Sequence, residues 1–215
     1  MTDSYLAPAA SHRYVLDLVR EANRDRFLGA LFAPEPARSD LLALLAFDLE
    51  LARTRSVTRE PLLARIRLEW WREAVAEAAG DGKPRAQPIV ESLSEMLRRR
   101  RDLPPDGLMD LIGAREEEID GPIDVARVGR ALADFQLAVL GVDDDASRRA
   151  ARAVSTARLT EAGPERDALI AEARALRRDV DPKALPILLP ALSLGGMSLW
   201  LKPLAYWWAA KRGRY

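Results

Sequence analysis

Three acidic groups are the first candidates for chemistry: Asp48 with Glu50, Glu116-Glu117-Glu118, and Asp143-Asp144-Asp145. Carboxylates that converge on one point hold hard divalent cations, and such cations offset charge on a departing phosphate. Convergence is what the two triplets lack. Consecutive helical residues diverge by about 100°, so each triplet reads as a solvated face or a helix cap. Asp48 and Glu50 have no partner pair, and they read as solvated or capping charges rather than ligands. Arg53 and Arg55 follow closely, and guanidinium groups can meet a phosphate directly. The run Arg98 to Arg101 lies near a helix C-terminus, where cations complement the dipole. The chain has no Cys and one His, His12. Disulfides, thiolate nucleophiles and Cys- or His-based metal sites are thereby excluded. No P-loop, dinucleotide glycine fingerprint or catalytic triad is present.

The elements that would position these groups follow from periodicity. Arg38 to Glu77 reads as two helices joined by a short polar turn around Ser56 to Thr58. Leu41, Leu42, Leu44, Leu45, Phe47, Leu49 and Leu51 form the apolar stripe of the first, and Leu62, Leu63, Ile66, Leu68, Trp70, Trp71 and Val75 that of the second. Thr58 is expected to cap the second helix, with Pro61 in its first turn. A helix is expected before the pair over Tyr14–Leu31. After it, helices are expected over Pro88–Arg101, Asp106–Glu118, Asp124–Leu140, Ala146–Leu159 and Pro164–Arg178, punctuated by proline and glycine. No segment alternates at period two. The sequence therefore predicts an all-α, single-domain bundle over residues 13–215 after a loose tail over 1–12. Lys plus Arg and Asp plus Glu both total 33, so nothing favours bulk attraction to nucleic acid. The first residues lack a basic stretch followed by an apolar one, so no secretory signal is expected, and a reducing, cytoplasmic setting is.

Ala184 to Leu201 carries no charge and approaches the length of a membrane span. Pro186, Pro190 and Gly195-Gly196 interrupt it, which favours buried core or a docking surface over a span. Trp200, Lys202, Tyr206, Trp207 and Trp208 are the candidate contacts for a membrane or a partner, because aromatic and cationic side chains together suit a headgroup boundary.

Leu68-Glu69-Trp70-Trp71-Arg72 is the most distinctive string. With Leu45-Ala46-Phe47 on the preceding helix, it resembles the squalene/phytoene synthase family over about residues 14 to 160. The resemblance implies an all-α, isoprenoid-synthase-like bundle, truncated here in its second half after Leu159. It also implies a terpenoid chemistry in which two Asp-rich motifs hold Mg²⁺ against prenyl diphosphates. The first such motif, Asp-Asp-x-x-Asp, would begin five residues past Phe47, where this chain has Ala52, Arg53, Thr54, Arg55 and Ser56. Ala52, Arg53, Arg55 and Ser56 thus make a degenerate motif with its charge reversed. The second motif would fall near Ala151 to Leu159, and its carboxylates are absent. By the same resemblance, Phe47, Arg53, Arg55, Trp70, Trp71 and Arg72 are candidate cavity or phosphate contacts, the tryptophans as wall and the arginines at the mouth. No metal ligands or cofactor are expected.

The segments Ala46 to Ala52, Gly113 to Glu116 and Leu140 to Asp143, with the aromatic and basic finish Lys202 to Tyr215, resemble one branch of that family more closely. That branch assists assembly of respiratory complex I (NADH:ubiquinone oxidoreductase). It implies a non-catalytic, bacterial relative, peripheral on the inner membrane, whose partner is a complex I subunit or assembly intermediate. Two alternatives stay open. One is a prenyltransferase with a divergent site, which would need Mg²⁺. The other is a module that binds prenyl lipid or the membrane surface.

Overall fold

The computed structural model describes residues 8–57, 60–194, 201–213 and 215. Among them are eleven α-helices, three short 3₁₀ segments and no strand, which agrees with the all-α expectation. The described residues gather into two compact units: those within 8–22 and 39–124, and those within 23–38 and 125–215.

The first unit holds α1 (Pro8–Ala22), most of α3 (Ala37–Val57), α4 (Pro61–Ala79), α5 (Pro88–Arg99) and α6 (Asp106–Glu116). α1 takes in residues expected to belong to a loose tail. Its Ser11 is buried and donates to Glu91 of α5, while Val15 and Val19, one turn apart, close the same face. α3 is apolar on all sides from Leu41 to Phe47, and each of those residues is buried. A helix of that composition belongs inside a core rather than on its edge. α4 buries Ala64, Leu68, Trp71, Ala74, Val75 and Ala78, the three- and four-residue spacing of one helix face. α5 starts at Pro88, with Gln87 accepting from the Val90 amide at 2.8 Å. Pro61 likewise opens α4, but Glu60 stands at its N-cap and makes no side-chain capping bond, and Thr58 lies outside the described residues.

The second unit holds α2 (Arg24–Ala30), α7 (Val125–Leu140), α8 (Asp145–Leu159), α9 (Pro164–Ala175), α10 (Leu185–Leu188) and α11 (Lys202–Lys211). The helix expected over Tyr14–Leu31 is therefore two. Asn23 breaks it with φ −150° and accepts from the Arg26 amide at 3.2 Å, so an internal cap outweighs the continuous apolar pattern. α2 is drawn into this unit by close packing: a Cβ on Gly29 would lie 2.4 Å from the carbonyl oxygen of Pro186. α7 and α8 also approach tightly, since a Cβ on Gly129 would meet Thr156 Oγ1 at 2.5 Å and its backbone nitrogen at 2.7 Å. α7 ends on Gly141 at φ +66°, with Val142 N–H bonded to Leu137 and Gly141 N–H to Ala138, the double bond of a Schellman cap. The uncharged stretch beginning at Ala184 is not a long helix. It runs from a 3₁₀ turn (Pro182–Ala184) through α10 into a second 3₁₀ segment (Leu189–Ser193), as its prolines dictate. Among the described residues no helix is long and apolar enough to cross a membrane.

Candidate functional site

The candidate site lies in the first unit, where α3, α4 and α6 bring charge into a largely apolar interior. Asp48 and Glu50 are both buried, contrary to the solvated positions their sequence suggests. The reason is α3 itself: through Asp40 to Leu51 the helix is enclosed and offers no solvated face on which to place them. Each carboxylate instead meets guanidinium. Arg115 of α6 donates to Asp48 at 2.9 Å and to Glu118 at 2.8 Å, and all three side chains are at least nine-tenths buried. Burial works against the charge on Arg115, but Asp48 and Glu118 more than offset it, and its pKa rises. Glu118, expected on a solvated face, is thus an interior ion; it sits in the 3₁₀ turn Glu117–Ile119 that follows α6. Glu50 accepts from Arg53 at 2.7 Å and from Arg67 of α4 at 3.1 Å.

Around this core runs a more exposed network. Arg72 donates to Glu116 and, at 3.0 Å, to Glu69, and the bond to Glu116 is the chief reason its pKa is raised. Arg65 reaches Asp120 at 2.7 Å. Arg55 donates to the carbonyl of Gly121 at 2.8 Å. Of the degenerate motif, then, Arg53 and Arg55 are both exposed and engaged within the unit, Ala52 is half-buried, and the Ser56 side chain lies outside the described residues. Phe47 and Trp71 are fully enclosed and meet edge to face at 5.3 Å, so they are core. Trp70, packed against Trp71 at 4.9 Å, keeps 37% of its surface exposed beneath the guanidinium of Arg85.

A pair of Asp-rich helices facing Mg²⁺ would need carboxylate oxygens turned toward a common point. The residues here do not fit that ion. Asp48 and Glu50 accept from arginines, and among the described residues no group of three or more acidic, His or Cys side chains could hold a metal. The arginine partners Arg67 and Arg115 were not among the sequence candidates, and Glu118 reads there as part of a solvated face. A carboxylate inside an unbroken apolar run was the available signal that buried cations had to exist.

The second candidate set lies on α11 and divides. Tyr206 is wholly buried, its hydroxyl 2.7 Å from Ser193 Oγ and its ring near Phe32, and burial raises its pKa to about 12. Lys202 is nearly enclosed and bonds Asp25 of α2 at 2.8 and 3.0 Å. Neither is a surface contact, because this side of α11 packs into the second unit. Trp207 and Trp208 do face outward, about half exposed. Trp200 lies outside the described residues.

The profile described as Squalene/phytoene synthase matches residues 19–160. The chain belongs to the squalene/phytoene synthase family. The squalene synthase HpnC from Alicyclobacillus acidocaldarius shares its fold, with a TM-score of 0.65 at 16% identity over 96% of this chain and 95% of that one. This confirms the isoprenoid-synthase-like bundle. Proteins named NADH dehydrogenase (ubiquinone) complex I, assembly factor 6 are also similar. The one from Bos taurus is 32% identical over 54% of this chain and 34% of its own length, and the one from Homo sapiens 30% identical over 50% and 32%. The matched stretch is thus about a third of the length of these relatives.

Proposed function

We propose that this member of the squalene/phytoene synthase family assists assembly of respiratory complex I without prenyl-transfer chemistry, as a peripheral protein of a bacterial inner membrane. The observation that carries the reading is the commitment of Asp48 and Glu50 to Arg115, Arg53 and Arg67. Helix α3 keeps its place as the centre of the first unit, while its carboxylates serve packing instead of a cation. The similarity to relatives named as complex I assembly factors supplies the process. A complex I subunit or assembly intermediate is the expected partner. Fold similarity to a squalene synthase leaves the site to decide the chemistry, and the site favours binding over catalysis.

The test is NADH:quinone oxidoreductase activity in membranes from a strain lacking the gene. A large loss that a plasmid copy restores, with succinate oxidation intact, is the expected result. Unchanged activity overturns the reading.

A further inference from the structure

The outward face of α11 has a composition that neither the fold nor the assembly role accounts for. At about 100° per residue, Leu201, Leu204, Trp207, Trp208, Lys211 and Arg212 fall within roughly 140° of arc. All six are exposed, and Tyr206 lies buried on the opposite side. The two cations do not project away from the aromatics. Lys211 Nζ stands 5.0 Å from the Trp207 ring and the Arg212 guanidinium 4.7 Å from that of Trp208. The ring planes of Trp207 and Trp208 are nearly perpendicular, at 86°. An exposed apolar cluster of this kind in a protein of zero net charge marks a surface that something covers.

Charge indicates what covers it. From Pro182 to Tyr215 the chain has five basic residues, Lys183, Lys202, Lys211, Arg212 and Arg214, and no acidic one. A protein groove reading Leu and Trp would not require so long a stretch of chain without a carboxylate. An anionic bilayer would, because every carboxylate near its surface costs attraction and every cation adds to it. Indole rings favour the headgroup level, leucines the acyl boundary below it, and basic side chains the phosphates above. The inner side of α11 is fixed by the Lys202–Asp25 bond and by Tyr206, so the outer face is presented by a held helix.

We infer that the outer face of α11 lies flat in the headgroup region of an anionic lipid bilayer, with Leu201, Leu204, Trp207 and Trp208 inserted and Lys211 and Arg212 on lipid phosphates. This deepens the peripheral placement proposed above, and it rests on that placement but not on complex I. The experiment is co-sedimentation of the full-length chain with vesicles of mixed phosphatidylglycerol and phosphatidylcholine, against vesicles of phosphatidylcholine alone. Binding to the mixed vesicles, weakening as salt is raised, is expected. The double substitution Trp207→Ala/Trp208→Ala should reduce it by about tenfold or more, and Lys211→Glu/Arg212→Glu should abolish the preference for anionic lipid. These side chains are exposed, so thermal melting should match the parent and exclude unfolding as the cause. No sedimentation at low salt overturns the inference. So does equal sedimentation of the parent and the Trp variant, which would turn the face over to a protein partner. The deletion experiment reads complex I, so either proposal can fail while the other stands.

Discussion

The α3 site of the first unit and the outer face of α11 in the second use charge in opposite ways. At α3, carboxylates and guanidiniums are turned inward upon one another: Asp48, Arg115 and Glu118 are buried and paired through the two Nη atoms of the guanidinium. At α11, Lys211 and Arg212 lie over exposed indoles. A buried ion set of the first kind is poor at gathering a ligand, because any newcomer must replace a partner already in place. It is also fragile, since loss of one member strands the others in a low-dielectric interior. The second kind contributes little to folding and is available for association. The comparison teaches that the same residue types signal structure or recognition according to whether their counter-charges are inside the fold.

The largest test of that contrast is Arg115→Leu. It leaves Asp48 and Glu118 buried without their cation, and the expected cost is about 3–5 kcal/mol in urea unfolding. A change below about 1 kcal/mol would mean that the triad is not an interior ion set. The paired tryptophans give the next test. Trp71→Ala opens a cavity against Phe47 and should cost about 3–5 kcal/mol, whereas Trp70→Ala, on the partly exposed side, should cost about 1 kcal/mol. Equal costs would contradict the division between core and surface on α4. In the second unit, Gly129→Ala forces a methyl group onto the backbone of Thr156 and should cost about 1–3 kcal/mol by thermal melting.

The smallest effect is expected at Asp144. It caps α8 by accepting from the Ser147 amide at 2.8 Å, and Asp144→Ala should cost about 1 kcal/mol at neutral pH. Burial works against the ionised form, but the bonds to Ser147 outweigh it and hold the carboxyl below the ordinary range. A lowered folded-state value means that the cap's contribution is complete above the unfolded pKa. It is lost as pH falls through the folded value, so parent and variant should converge in acid. A gap that persists there would remove the carboxylate from the explanation. Together with the exposed α11 pair, whose removal should leave melting unchanged, these variants order the molecule from interior charge to outer face.

Much of this architecture was legible in the sequence. Prolines at 61, 88 and 164 announced three helix starts, and each stands in the first turn of its helix. The Phe47 and Trp71 positions that carried the family resemblance proved to be packing residues of one core. Asn23 escaped notice because its apolar neighbours continue the helical pattern through it, and only the capping bond shows the break. The division into two units was illegible because it depends on contacts distant in sequence, such as Gly29 against Pro186 and Pro190. The charges were misplaced for a related reason. Asp48 and Arg115 are far apart along the chain, and no local spacing pairs them. On α11, sequence composition marked the aromatic and basic residues but could not separate the buried Lys202 and Tyr206 from the exposed Trp207 and Trp208.

The most direct test of the account is calorimetric titration of the full-length chain with farnesyl diphosphate, with and without Mg²⁺. Because the α3 carboxylates are bound to arginines, the heats should be the same under both conditions. Saturable binding that appears only with Mg²⁺ would show that carboxylates of this chain do gather the ion, and would contradict the assignment of Asp48 and Glu50 to structure.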